Sequence, residues 1–451
     1  MIRDMSATPP DVPFECHEVQ MSPNSNTKPE SMTGPAYLKL VAIGALIGLP
    51  AAAAALLLLS AVHKAEHFFW TYLPEQLGSD GPPWYFVVGL PVAGAALVVL
   101  ARRFLPGDGG HSPTAGISGD PTPLRYAPGV VLAAFGTLAF GAILGPEAPL
   151  IALGSAIGLG IVAWLKLDRS TERILGTAGS FSAISALFGG PLVAGIMLLE
   201  SGLAAGSAIV LFILPGLAAA AIGYLLFVGL GSWTGLEAIS LKVPDLPIYE
   251  GTRVVDLLLA IAIGVLTTLA VRVATRVAKQ LEIQGPRRVG MTWTLLAGGL
   301  AVGLLAQCAS LLGATYDQIL FSGQSAIAET VTEGSIVILL LIIAAKGVGY
   351  AICLGCGFRG GMVFPAIFLS VAMCAICVNI FDGSITWAVA VGTAAGMAAS
   401  TRLIFSALVF AILLTGTAGF DAVPATVFAA LAALLTNLAL DRPTEVTEPV
   451  A

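Results

Sequence analysis

Leu144-Gly145-Pro146-Glu147-Ala148-Pro149-Leu150 sets one carboxylate between two prolines, with largely apolar sequence on either side. An ionisable side chain held in hydrocarbon costs about 2.5–3.5 kcal/mol even on lenient insertion scales, so its default reading is functional. The alternative is a loop tip in headgroup water. The rest of the chain has to decide between the two.

Hydrophobic residues make up 57% of the 451 and charged residues 11%, with a mean hydropathy of +0.91. Soluble chains usually carry about 25% charged residues, so this composition describes a polytopic membrane protein. A net charge of −6 without a long basic run argues against nucleic acid as a partner. The 52 glycines and 27 prolines are more telling, because in an apolar chain they mark close helix packing and helices that break inside the bilayer.

Residues 1–36 are rich in Pro, Ser, Asn and Met, lack apolar periodicity and contain no signal-peptide core, which reads as a disordered cytoplasmic tail. A first span is expected at Tyr37 to Val62. It is followed by the polar patch His63-Lys64-Ala65-Glu66-His67 and by Phe68, Phe69, Trp70 and Tyr72, aromatics suited to a membrane interface. A second span, Trp84 to Leu100, ends in Arg102-Arg103, which points to the cytoplasm. From Ala127 to Glu200 the chain is apolar but broken at Gly145 to Pro149, at Lys166 to Ser170 and at Gly189-Gly190-Pro191. Segments of this kind predict tilted or partly spanning helices that line protein or a water cavity.

A linker poor in basic residues, Ser232 to Gly251, fits the outer face. The helix from Val254 to Leu281 carries Arg272, Arg276 and Lys279 and is followed by Arg287-Arg288, which places that end inside. Further apolar segments run Thr292 to Leu312, Ser335 to Ile352, Met362 to Val378, Ile385 to Ala399, Ile404 to Thr415 and Ala422 to Leu440. Residues 441–451 read as a short cytoplasmic tail, leaving no room for a C-terminal soluble domain. Both termini are thus expected in the cytoplasm, in a multi-pass protein of the cell (inner) membrane.

Cys353-x-x-Cys356 and Cys374-x-x-Cys377 have zinc-ribbon spacing, but both pairs lie in or beside apolar segments without a polar knuckle, so helix packing is the better reading. No metal, cofactor or enzymatic nucleophile–base pair is expected.

Gly109-Gly110-His111-Ser112-Pro113, Gly145-Pro146-Glu147-Ala148-Pro149, Gly189-Gly190-Pro191-Leu192 and Gly360-Gly361-Met362-Val363-Phe364-Pro365 stand in an order and spacing that resemble the CLC family of chloride channels and chloride/proton exchangers. The resemblance covers residues 37–440. It implies an all-α membrane fold, a CLC-like inverted repeat of tilted and partly spanning helices, and a homodimer with one pore per subunit. Chloride or a related small anion would be the cargo, with protons as a second one in an exchanger.

By this resemblance Glu147 is the gate. Its carboxylate competes with the anion for a site lined by helix N-termini, where unpaired amides and the positive dipole end hold an anion without a full cation. Gly145, Ala148, Gly360 and Gly361 border that site, and the amides of Met362 and Val363 are candidate ligands; a glycine pair also suits helix packing alone. The family's basic residue before the glutamate is Pro146 here, which has no N–H and predicts weaker binding at the outer position. Gly110 stands where a serine is usual, so its backbone, His111 or Ser112 would have to serve; the alternative for His111 and Ser112 is an ordinary turn before Pro113. Phe420 is the nearest aromatic to the expected tyrosine and has no hydroxyl. At the inner proton position stands Ser201, which cannot titrate near neutral pH, with Glu200 beside it; a helix-end contact is the alternative for Glu200. Passive conduction and proton-coupled exchange both stay open. The alternative reading is a secondary transporter of a small organic solute, with Arg359 or Arg402 binding its carboxylate.

Overall fold

The computed structural model describes residues 34–115, 121–202, 209–234 and 243–441. Most of the two expected tails and part of the Ser232 to Gly251 linker lie outside these residues. Helix α1 (Gly34–His67) continues through a π-helical turn, Phe68–Tyr72, into α2 (Leu73–Gln76), and α3 is Trp84–Phe104. Four short or broken helices follow, α4 (Ala127–Leu138), α5 (Glu147–Trp164), α6 (Arg169–Leu187) and α7 (Pro191–Gly202), and then α8 (Ile209–Thr234).

The second half runs α9 (Val254–Val289), α10 (Met291–Leu311), the single turns α11 (Tyr316–Ile319) and α12 (Ile327–Val331), α13 (Ile336–Cys356) and α14 (Val363–Phe381). It ends with α15 (Ile385–Thr401), α16 (Ile404–Thr415) and α17 (Val423–Leu440). Among the described residues, nine helices are long and apolar enough to cross a membrane. Helix α1 begins three residues before the expected boundary, and α8 extends into the expected linker as far as Thr234.

Small residues let these helices approach closely. Gly154 of α5 and Gly179 of α6 face one another, and a Cβ on either would run into the other's carbonyl. Cys353, Cys356 and Cys374 are buried, and the Cys353 sulfur accepts the Ile143 N–H at 3.2 Å. Among the described residues, no three His, Cys, Asp or Glu side chains gather as a metal site.

Trp70 corrects the expected interface belt. It is 3% exposed, stacks on Tyr316 at 5.5 Å and donates to the Ala139 carbonyl at 3.1 Å. The π turn rotates it inward, so it ties α1 to the chain just ahead of the Glu147 stretch. In the stretch before α9, Tyr249 donates to Asp256 at 2.5 Å. Burial, with Asp256 beside it, pushes the Tyr249 hydroxyl up to about 12, so it remains a donor.

Candidate functional site

Helices α5 and α14 start alike. Each has proline at its third position, Pro149 and Pro365, and a short non-helical approach, Gly145-Pro146 and Gly361-Met362. Proline suits the first helical turn, where an N–H has no intrahelical partner. The amides ahead of it, Glu147 and Ala148 in one helix and Val363 and Phe364 in the other, are therefore free of the helix ladder. The two approaches pair antiparallel: the Gly145 N–H donates to Gly361 at 2.8 Å, and the Gly361 N–H to Gly145 at 2.5 Å.

Glu147 lies across this bridge and is 3% exposed, which settles its burial against the loop-tip alternative. Its Oε1 accepts the Phe364 N–H at 2.9 Å, and the Val363 amide and its own amide also point at the carboxylate. Oε2 has no hydrogen-bond partner. A Cβ on Gly145 or Gly361 would overlap the carboxylate, so both positions must be glycine for the side chain to sit there. A Cβ on Gly360 would meet Leu144 at 2.6 Å. The Phe364 ring packs with Phe188 at 5.9 Å and with Phe410 at 6.1 Å, walling this end of α14 with apolar surface.

Several expected ligands fall elsewhere. Helix α14 starts one residue later than expected, so Phe364 joins Val363 as an amide donor, while the Met362 carbonyl accepts the Tyr350 hydroxyl at 2.9 Å. The amides of Gly145 and Gly361 are used up in their mutual bridge, so these glycines supply space and not donors. The Gly110 N–H turns back to Gly107 at 2.9 Å, and His111 is exposed. Ser112 donates to the Glu282 carboxylate at 2.6 Å, with Thr114 beside it at 2.5 Å. Phe420 is 57% exposed on the 3-10 turn Gly416–Ala422.

Glu200 accepts from the amides of Ile404, Phe405 and Ser406 and from the Ser406 hydroxyl, which makes it the cap of α16. The Ser201 hydroxyl bonds back to Met197 at 2.5 Å. Both arginines considered for a solute are ion-paired. Arg359 bonds Asp108, which also holds Arg102 at 2.7 Å, and Arg402 bonds Asp441 at 2.8 Å.

Three residues escaped the sequence reading. Phe364 did so through the one-residue shift in helix start. Lys346 is fully buried in α13, donating to the carbonyls of Gln318, Ile319 and Leu320 at 3.0, 3.2 and 2.9 Å, with Phe368 4.2 Å away. Tyr350 follows it by one turn. A lone lysine inside an apolar helix is the same signal that singled out Glu147, and applying it to α13 would have found this face.

Broken helices whose starts meet at a buried carboxylate define a class, membrane transport proteins with their site at a helix discontinuity. The chain belongs to the voltage-gated chloride channel family, CLC, whose family model matches residues 93–437. This is a family of channels and antiporters, not of enzymes. Among curated proteins it is 30% identical over 349 residues to "Putative ion-transport protein YfeO" of Escherichia coli O1:K1 / APEC, covering 73% of this chain and 78% of that one. The YfeO of Shigella boydii serotype 4 (strain Sb227) matches at the same identity and coverage.

Among solved structures, a slow cyanobacterial Cl-/H+ antiporter superposes with a TM-score of 0.72 at 20% identity, covering 89% of this chain and 95% of that chain. A CLC-type fluoride/proton antiporter gives 0.70 at 21% identity, covering 90% and 96%. At such identity these likenesses establish the fold, including its inverted halves.

Proposed function

We propose that this chain carries chloride or a related small anion across the cell (inner) membrane, that Glu147 gates the path, and that protonation of Glu147 opens it. The observation that carries the reading is the seat itself. A buried carboxylate rests on free amides at the start of α14 and leaves one oxygen without a partner. An anion of similar size would use the same amides, so carboxylate and cargo compete, and neutralising the side chain favours the cargo. The family supplies the cargo class, and the likeness to chloride/proton and fluoride/proton antiporters supports a small anion.

Part of the reading is a homodimer with both termini cytoplasmic. Glu200 as the cap of α16 and the back-bonded Ser201 give no support to a proton route through those positions. The organic-solute alternative needs an unpaired buried arginine, and Arg359 and Arg402 are paired.

The test is anion flux from liposomes with an imposed pH gradient, run with chloride and with fluoride. Uphill anion movement driven by protons makes the protein an exchanger; downhill movement alone makes it a channel. No flux of either anion overturns the proposal.

A further inference from the structure

Tyr350 is fully buried on α13, outside every motif that marks the seat, yet its hydroxyl donates to the Met362 carbonyl at 2.9 Å. Met362 immediately precedes α14. The Met362–Val363 peptide is planar and trans, so its carbonyl and the Val363 N–H point in opposite directions. With the carbonyl held towards α13, the amide is turned to the seat, and there it points at the Glu147 carboxylate.

A helix start is where fraying concentrates. The cap carbonyl of Met362 has two lone pairs, and Tyr350 takes one of them. The seat depends on this more than most would, because among the described residues the donors to its carboxylate are backbone amides, while Ser112 is committed to Glu282 and Phe420 has no hydroxyl. Backbone amides are then its donors, and their direction sets its affinity.

We infer that Tyr350 is a positioning residue for the anion seat, its hydroxyl holding the Met362–Val363 peptide so that the first amide of α14 faces the bound anion. The inference rests on the anion-seat reading above. It gives α13 a part in the site that its position behind α14 conceals.

The experiment compares the parent protein with Tyr350→Phe, which keeps the ring and removes the hydroxyl, each also in a Glu147→Gln background. Half-saturating chloride is measured from liposome flux. Independently, it is measured from the chloride dependence of the unfolding temperature of the purified protein, which needs no transport. One orienting hydrogen bond corresponds to about a fivefold rise in half-saturating chloride, with maximal flux per folded protein unchanged. The full rise is expected in the Glu147→Gln background and a smaller one in the parent, where the same amide also holds the competing carboxylate.

Unchanged half-saturation on Tyr350→Phe in the Glu147→Gln background overturns the role of Tyr350 alone, even if maximal flux falls, since that fall is what a packing role produces. A parent protein that shows neither anion flux nor a chloride-dependent unfolding temperature overturns the seat and the tyrosine together.

Discussion

Replacing Glu147 by Gln keeps shape and removes charge, which isolates the competition at the seat. The glutamine carbonyl takes the place of Oε1 opposite the Phe364 N–H, and its NH2 group falls where Oε2 has no partner. Hydrogen bonds to a charged acceptor contribute about 1.5–3 kcal/mol and those to a neutral one about 0.5–1.5, so each amide loses roughly 1 kcal/mol of hold on the side chain. With the Val363 and Phe364 amides both facing it, that is about 2 kcal/mol. The helix-start dipole adds about 0.3–1 kcal/mol for a full negative charge. The side chain's advantage over an anion should thus fall by about 3 kcal/mol, on the order of a hundredfold in occupancy.

In liposomes assayed from about pH 4.5 to about pH 7.5, spanning the range above an ordinary carboxylate, parent flux should rise on acidification as the competing charge is neutralised. The Glu147→Gln protein should be flat over that range, with neutral-pH flux raised at least about tenfold, less than the occupancy change because later steps then limit turnover. A Glu147→Gln protein with the parent's pH profile would refute the competition, whatever its absolute flux.

Gly361→Ala puts a methyl group into the volume of the Glu147 carboxylate. It should displace the side chain and abolish pH dependence without changing any charge, as a flux–pH profile would register. Glu200→Ala removes four acceptor bonds from the start of α16. It should destabilise the protein by about 1–3 kcal/mol, seen as a lower unfolding temperature in detergent, whereas Glu200→Gln should recover part of the loss. The Arg272 and Arg402 guanidinium groups hold the Asp441 carboxyl below its ordinary value. Its contribution is therefore present above the ordinary aspartate range, about pH 4, and lost as pH falls through the depressed value. Asp441→Asn should lower the unfolding temperature at neutral pH and converge with the parent in acid; curves that stay equally separated would contradict this linkage.

The broken helices were legible because glycine and proline are local signals. Gly145-Pro146 and Gly360-Gly361 interrupt apolar runs, and the breaks fall there whatever packs around them. Glu147 was legible because a carboxylate in such surroundings is costly. Directions were less so. Whether an amide faces a ligand depends on the residue at which its helix starts, and a start at Val363 rather than Met362 brought in Phe364 as a donor. Pairing was illegible altogether: nothing local tells Ser112 that Glu282 lies across from it, or Arg359 that Asp108 does, about 170 and 251 residues apart in sequence.

The same contrast explains why the seat is built from two half-helices rather than from one. A single helix start offers free amides but leaves its anion open on the other side. Here the antiparallel bridge from Gly145 to Gly361 sets the starts of α5 and α14 against each other, so the carboxylate carried by one lies on the amides of the other. The carboxylate and the amide that holds it thus belong to opposite halves of the chain, 217 residues apart. Any movement of one half relative to the other changes the fit between them. On the proposed reading, neutralising Glu147 frees the α14 amides for an anion, so one proton on one half can act on a cargo held by the other.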